Sequence, residues 1–316
     1  MSDSLTFRLL TYVKAVAETL NFTRAAQRLY LAQPSLSQQV RDLEDQLKFP
    51  LFERGGPQLR ITDAGRLIVA YADTALRERD EIVAMARAIH LRQVPPLRLG
   101  FSSFINAALL QNFRESYEDM FPGCEIRLSG GDPSLILQRL NQRLIDCAIL
   151  PMPIDDEIYN VQQIAQSPLV ICMLSNDPLA SQSHIDIHEA PDRIKIFRDP
   201  EMQPTAHSRL VELFHEVGIE LTLSSSARTP ADIQWMIKAG YGLALVDQLM
   251  PLEAGLVTRP IAGVNWTADT AFVHQNRSDH IALPFIERFF QEQWRNVHRK
   301  KPSTRNVRPE QLKLLA

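Results

Sequence analysis

In the stretch Gln33-Pro34-Ser35-Leu36-Ser37-Gln38-Gln39-Val40-Arg41, hydroxyls, amides and a guanidinium alternate with apolar side chains at helical spacing. Pro34 suits the first turn of a helix, where its missing N–H costs nothing. Leu36, Val40, Leu43 and Leu47 then recur at the helical period and face a core. Ser35, Ser37, Gln38 and Arg41 are left for the exposed face. They are donors and acceptors of a length suited to base edges or phosphate oxygens. A helix that reads the major groove does so through its first turns, where these residues gather. The unpaired N–H groups at its start add a partial positive charge that favours a phosphate.

Two earlier helices position this face. Residues 5–20 carry Leu9, Leu10, Val13, Val16, Ala17 and Leu20 on one side of a helical period. Asn21 caps a second helix that begins Phe22-Thr23-Arg24 and turns Ala25, Ala26 and Leu29 inward. Downstream, Leu51-Phe52-Glu53-Arg54 and Leu59-Arg60-Ile61 flank Gly55-Gly56-Pro57, two short strands around a turn. Such a β-wing, with Arg54 and Arg60 near its base or tip, can follow the DNA backbone or enter the minor groove. Periodicity alone also permits an amphipathic three-helix unit with a solvated polar face.

The string itself narrows the choice. Residues 21–66 closely resemble the DNA-binding domain of LysR-type transcriptional regulators, through FTRAAQRL, AQPSLSQQVRDLE, LFER and LRITDAG. The match is long and ungapped. It implies that Thr23 touches the DNA backbone and that Gln33, Pro34, Ser35, Ser37 and Gln38 face the groove. Arg41 then meets a phosphate, and Arg54 holds the wing to DNA. Two positions depart from the commonest family pattern. Many members carry Arg where Gln38 stands, and Gln suits adenine better than guanine. A Gly is common where this chain has Lys48, which implies a slightly different path into Phe49-Pro50.

From Thr62 to about Arg92 only Gly65 interrupts an otherwise helical composition. Ile68, Ala75, Ile82 and Ile89 recur every seven residues, a seam for a partner helix, although Glu78 and Arg79 break it. In the resembling family this segment pairs two chains on an inverted-repeat site, usually within a dimer of dimers. The expected organisation is therefore a winged helix-turn-helix over 5–62, a linker helix over 63–92 and a regulatory domain over 95–295. A basic tail follows over 296–316.

Beyond Val94-Pro95-Pro96 the pattern alternates strands and helices. Strands are expected at 97–101, 125–128, 147–150, 169–174, 194–197, 221–224, 243–246 and 272–274. Helices are expected over 109–120, 134–143 and 281–294. Repeated βα units imply an α/β domain with parallel sheets. LRLGFSS, MFPGCEIRL, LIDCAIL and KAGYGLALV are similar to the effector domain of the same family. That domain is itself like periplasmic binding proteins, two α/β subdomains around a cleft. Ligands in such sheets sit beyond the carboxyl ends of the strands, near helix N-termini. The rule nominates Ser102, Ser103, Phe104, Gly131, Asp132, Pro151 and Met152 in the first subdomain. In the second it nominates Phe197, Arg198, Thr205, His207, Arg228 and Thr229. Hydroxyls and backbone N–H groups at helix starts, with Arg198 or Arg228, suit a carboxylate or another small anion. Serines and threonines at these positions equally serve as plain caps.

Composition limits the alternatives. With 34 Lys and Arg against 37 Asp and Glu, the 316-residue chain has a formal charge of -3 and no general attraction to polyanions. DNA contact must come from local arrangement. The start MSDSLTFRLL lacks the features of an export signal, and apolar runs end well before about 18 residues. Cys124, Cys147 and Cys172, odd in number and set among apolar neighbours, read as buried free thiols in a cytoplasmic protein. No phosphate-binding loop, zinc-protease motif or GxSxG elbow occurs, so an enzyme is not expected, nor is a cofactor or metal. A transport-type binding protein would need an export signal and no reading head. A thiol-based peroxide sensor needs two cysteines that meet in the second subdomain, and none follows Cys172. The expected partners are double-stranded promoter DNA, a small-molecule effector, a second copy of the chain and RNA polymerase, with no membrane.

Overall fold

The structure is a computed structural model that describes residues 5–54, 58–154 and 157–299. The wing turn Gly55-Gly56-Pro57 and all of the expected tail from residue 300 onward lie outside the described residues. Contacts divide the chain into two compact units, Met1–Gln93 and Val94–Ala316.

The first unit opens with α1 (Phe7–Thr19), α2 (Phe22–Arg28) and α3 (Gln33–Leu47). Asn21 caps α2 through its side-chain oxygen, which accepts from Thr23 N at 2.9 Å and Arg24 N at 3.0 Å. Val13, Val16, Ala25, Leu36, Val40 and Leu43 are fully buried in one core. At about 1.5–3 kcal/mol for each large aliphatic side chain, this burial fixes the orientation of α3. α3 ends on Lys48, held at φ 65°, the left-handed conformation that a glycine adopts without cost. A two-stranded wing follows, β1 (Phe52–Glu53) antiparallel to β2 (Arg60–Ile61).

The long α4 (Asp63–His90) starts at Thr62, whose hydroxyl accepts from Gly65 N at 2.8 Å. Gly65 is required here: a Cβ would stand 2.2 Å from the Leu51 carbonyl oxygen. The expected heptad seam is only partly free. Ala72 and Leu76 bury against Leu10 of α1, while Ile68 and Ala75 pack at the edges of this unit's clusters. Tyr71, Ile82 and Val83 remain more than half exposed.

The second unit builds β3 (Leu97–Ser102), α5 (Ala107–Met120), β4 (Ile126–Gly131), α6 (Pro133–Asn141) and β5 (Cys147–Pro151). Next come β6 (Tyr159–Leu174), β7 (Ile185–Asp186), β8 (Ile194–Arg198), α7 (Pro204–Glu216) and β9 (Ser225–Ala227). The unit closes with α8 (Pro230–Lys238), β10 (Leu243–Asp247), β11 (Leu256–Ala262), β12 (Thr267–Gln275) and α9 (Leu283–Arg299). Strand order is β4-β3-β5-β12-β6-β10-β8-β9, with β11 beside β6 and β7 beside β11.

β6 organises this unit. Residues 159–168 pair with β12 and form the first subdomain, while residues 169–174 pair with β10 and β11 in the second. The sheet is mixed, not parallel as the βα repeats suggest. β12 runs antiparallel to both β5 and β6, because the chain returns to the first subdomain only at its end. The strand expected at 221–224 is likewise displaced, to β9. No helix among the described residues is long and apolar enough to cross a membrane.

Candidate functional site

α3 presents Gln33, Pro34, Ser35, Gln38 and Arg41 as exposed residues, and Thr23 is exposed at the start of α2. Ser37 departs from expectation. It is 9% exposed, because its place one step after Leu36 turns it toward the core side of the helix. Gln38 Nε2 donates to Asp42 Oδ1 at 2.7 Å, one turn along, which fixes the amide plane. Arg54 is tied inward: Nη2 lies 2.6 Å from Glu44 Oε2, and its guanidinium lies over the Phe22 ring at 5.2 Å. It therefore braces the wing base against α3. Tyr30, 96% exposed at φ 55° between α2 and α3, borders the same surface. Its sequence position between two helices does not reveal that exposure.

A cavity of about 530 Å³ in the second unit opens between the start of α5 and the second subdomain. Of the nominated residues it gathers Ser103, Phe104, Arg198 and Thr229. Phe104 projects from the first subdomain and Arg198 ends β8, with the guanidinium 4.7 Å from the Phe104 ring centroid and 5.8 Å from that of Phe197. Arg198 Nη1 donates to Gln203 Oε1 at 3.2 Å. Burial among apolar neighbours lowers its pKa to about 10, opposed by the negative charge of Asp247. Among the described residues Arg198 forms no ion pair.

The other nominations fall elsewhere, each for a local reason. Ser102 is 1% exposed and its hydroxyl accepts from Phe104 N at 3.2 Å, closing the turn after β3. Phe197 is 6% exposed, because the pleat of β8 sends it to the face opposite Arg198, into the second subdomain's core. Arg228 reaches Asp199 Oδ2 from Nε at 3.3 Å and does not line the cavity. Gly131, Asp132, Pro151, Met152, Thr205 and His207 also stand outside it. Thr205 and the neighbours of Asp132 and Met152 stand where the two subdomains touch. There Ser134 Oγ donates to the Met202 carbonyl at 2.7 Å, and Thr205 Oγ1 to the Pro153 carbonyl at 3.0 Å.

Sequence reading missed the far wall: Gln234 from α8, then Leu245, Val246, Asp247 and Met250 from the end of β10 and the loop after it. The rule of carboxyl strand ends applied to β10 would have found Asp247. Thr229 caps α8 through a reciprocal pair with Asp232: its hydroxyl accepts from Asp232 N at 3.2 Å, and its N–H donates to Asp232 Oδ2 at 2.8 Å.

A winged helix-turn-helix followed by a two-subdomain α/β unit with a charged cleft defines a ligand-responsive DNA-binding regulator. Comparison with known proteins agrees. Residues 7–66 match the family described as "Bacterial regulatory helix-turn-helix protein, lysR family", and residues 92–293 match "LysR substrate binding domain". The chain belongs to the LysR family of transcriptional regulators, which are DNA-binding proteins and not enzymes. It is 33% identical over 242 residues to the HTH-type transcriptional regulator CatR of Pseudomonas putida, covering 76% of this chain and 81% of the relative. It is 29% identical over 253 residues to BudR of Raoultella terrigena, covering 77% of this chain and 84% of the relative. Full-length BenM has the same fold, with a TM-score of 0.55 at 22% identity over 93% of this chain and 98% of that one. So has full-length CbnR in complex with its target DNA, at 0.55 and 19% identity over 92% and 99%.

Proposed function

We propose that this regulator reads a two-fold symmetric promoter site through Gln33, Pro34, Ser35 and Gln38, with Thr23 and Arg41 on the phosphate backbone. An effector carrying an anionic group binds beside Arg198. The observation that carries the first part is the exposed polar start of α3, set on an apolar core that leaves the helix no freedom to turn. The second part is carried by a half-buried guanidinium that touches a glutamine and two rings and feels the charge of Asp247, yet forms no ion pair among the described residues. A charge in that state gains most from a ligand anion.

In this reading Ser37 supports α3 from the core side, and Arg54 sets the wing angle through Glu44. Two chains associate through the exposed part of α4, and a dimer of dimers is the working form, acting in the cytoplasm with RNA polymerase as a further partner. Effector binding shifts the angle between the subdomains, and the linker helices relay it as a change in DNA bend and spacing.

A footprint on the promoter of the divergently transcribed neighbouring gene, taken with and without a panel of small carboxylates that includes amino acids, tests this. The expected result is a protected region whose length or internal cutting pattern changes with one panel member. A footprint identical across the panel counts against the effector reading.

A further inference from the structure

Two formal charges line the cavity, Arg198 and Asp247, one of each sign, and although the charge of Asp247 is felt at Arg198 the two do not meet in an ion pair. Asp247 Oδ1 is occupied, accepting from the Ser167 hydroxyl and from Leu249 N at 2.7 Å. Among the described residues Asp247 Oδ2 has no donor. Two amides also line the wall: Gln234 is closed off, since its Nε2 donates to the Pro251 carbonyl at 3.2 Å and its Oε1 accepts from Glu253 N at 2.7 Å, while Asn106 caps α5, its Oδ1 accepting from Ala108 N at 2.9 Å. Much of the remaining lining is apolar, with Phe104, Ile105, Ile233, Leu245, Val246 and Met250 beside the hydroxyls of Ser103 and Thr229.

A simple carboxylate seated on Arg198 would bring a second negative charge toward Asp247 in a half-buried cleft. A neutral apolar ligand would strip water from both charged groups and return nothing. Both arrangements leave a buried charge uncompensated, which is the costly outcome. One ligand class satisfies both walls. We propose that the effector is a zwitterion, an α-amino acid with an apolar side chain, whose carboxylate meets Arg198 and whose ammonium meets Asp247 Oδ2. The cavity of about 530 Å³ admits such a molecule, and sites of roughly 300–1,000 Å³ are usual for small ligands. The assignment rests on the reading of this cleft as the effector site, and it specifies the charge pattern that the site selects.

Calorimetric titration of the full-length chain with matched probes tests it. The probes are L-leucine with isocaproate and isoamylamine, and L-phenylalanine with hydrocinnamate and phenethylamine. The expected result is that at least one amino acid binds about tenfold or more tightly than its acid and its amine, roughly 1.4 kcal/mol. Asp247→Asn keeps a carbonyl for Ser167 and Leu249 N. It should erase the amino acid's advantage over the acid and leave the acid's own affinity unchanged or improved. Arg198→Gln should weaken acid and amino acid together.

An acid that binds wild type as tightly as its amino acid overturns the zwitterion, as does a gap that persists in Asp247→Asn. The absence of any amino-acid heat also overturns it. If the acids respond to Arg198→Gln while the amino group adds nothing, the anionic cleft stands and only the zwitterion falls. If Arg198→Gln leaves every affinity unchanged, the cleft reading falls with it.

Discussion

Glu44 of α3 holds Arg54 at the base of the wing, with Nη2 2.6 Å from Oε2, while its other oxygen accepts from the backbone N–H groups of Leu51 and Phe52. One carboxylate thus sets the angle between reading helix and wing. Replacing Glu44 by Ala leaves two part-buried N–H groups and a guanidinium without an acceptor. The expected loss is about 2 kcal/mol in urea denaturation, within the range for deserted buried donors. Arg54→Ala leaves Glu44 its two backbone partners and should cost less, about 1 kcal/mol. An equal or larger loss in Arg54→Ala would contradict the assigned hierarchy.

Gln38 is the proposed base reader, with its amide plane held by Asp42. Gln38→Ala should relax preference at one position of each half-site by roughly 1–3 kcal/mol. Gln38→Arg should move that preference from adenine toward guanine, whose O6 and N7 accept a bidentate guanidinium. A binding-site selection with each variant reads both outcomes.

Lys48 occupies a left-handed cap at φ 65°. Lys48→Gly relieves a steric cost of about 1 kcal/mol, partly offset by the entropy of a more flexible unfolded chain. The variant should therefore melt at the wild-type temperature or a few degrees above it, with unchanged DNA affinity. A clear loss of stability would mean that the Lys48 side chain makes a needed contact.

The cysteines differ in reach. Burial pushes the Cys147 thiol far up and Cys172 up to about 11, while Cys124 is only half-buried and is raised by partial burial. A thiol reagent at pH 8 should modify Cys124 first, and Cys147 and Cys172 only on unfolding, since the thiolate is the reactive form. Above the ordinary thiol value of about 8.5, the unfolded chain releases protons that the folded chain retains. Stability should therefore fall as pH climbs toward 11. Rapid modification of all three in the native protein would reopen a thiol-sensing role.

Ile82, exposed at 55%, lies on the part of α4 left free by its own unit. Ile82→Asp should shift sedimentation toward the monomer and weaken binding to a two-half-site duplex far more than to a single half-site. An unchanged sedimentation profile would place the chain–chain contact elsewhere.

The reading head was legible in sequence because its cues are local: Asn21 caps where its side chain can reach, and Leu36, Val40 and Leu43 share one helix face. Ser37 was misplaced because one position of rotation on a helix moves a residue from rim to core, and the period alone does not fix the width of the apolar face. In the second unit the strands β3, β5, β8 and β10 were visible as apolar runs. The crossing of β6 and the antiparallel return of β12 were not, since both depend on pairing between distant segments. The cleft was half visible for the same reason. Phe104, Thr229 and Asp247 each stand where strand-end rules point, whereas the meeting of Asp247 and Arg198 on one cavity depends on the packing of β10 beside β8. Ser134 and Thr205 meet carbonyls some fifty or more residues away, which no local pattern announces.

The central claim is tested most directly by selecting duplexes from a random pool with purified wild-type protein and measuring the anisotropy of the winner against random competitor. The predicted result is a two-fold symmetric sequence bound about a thousandfold or more tightly than competitor, with most of that preference lost in the double variant Ser35→Ala, Gln38→Ala. Equal affinity for selected and random duplexes, or full preference retained in the double variant, would contradict it.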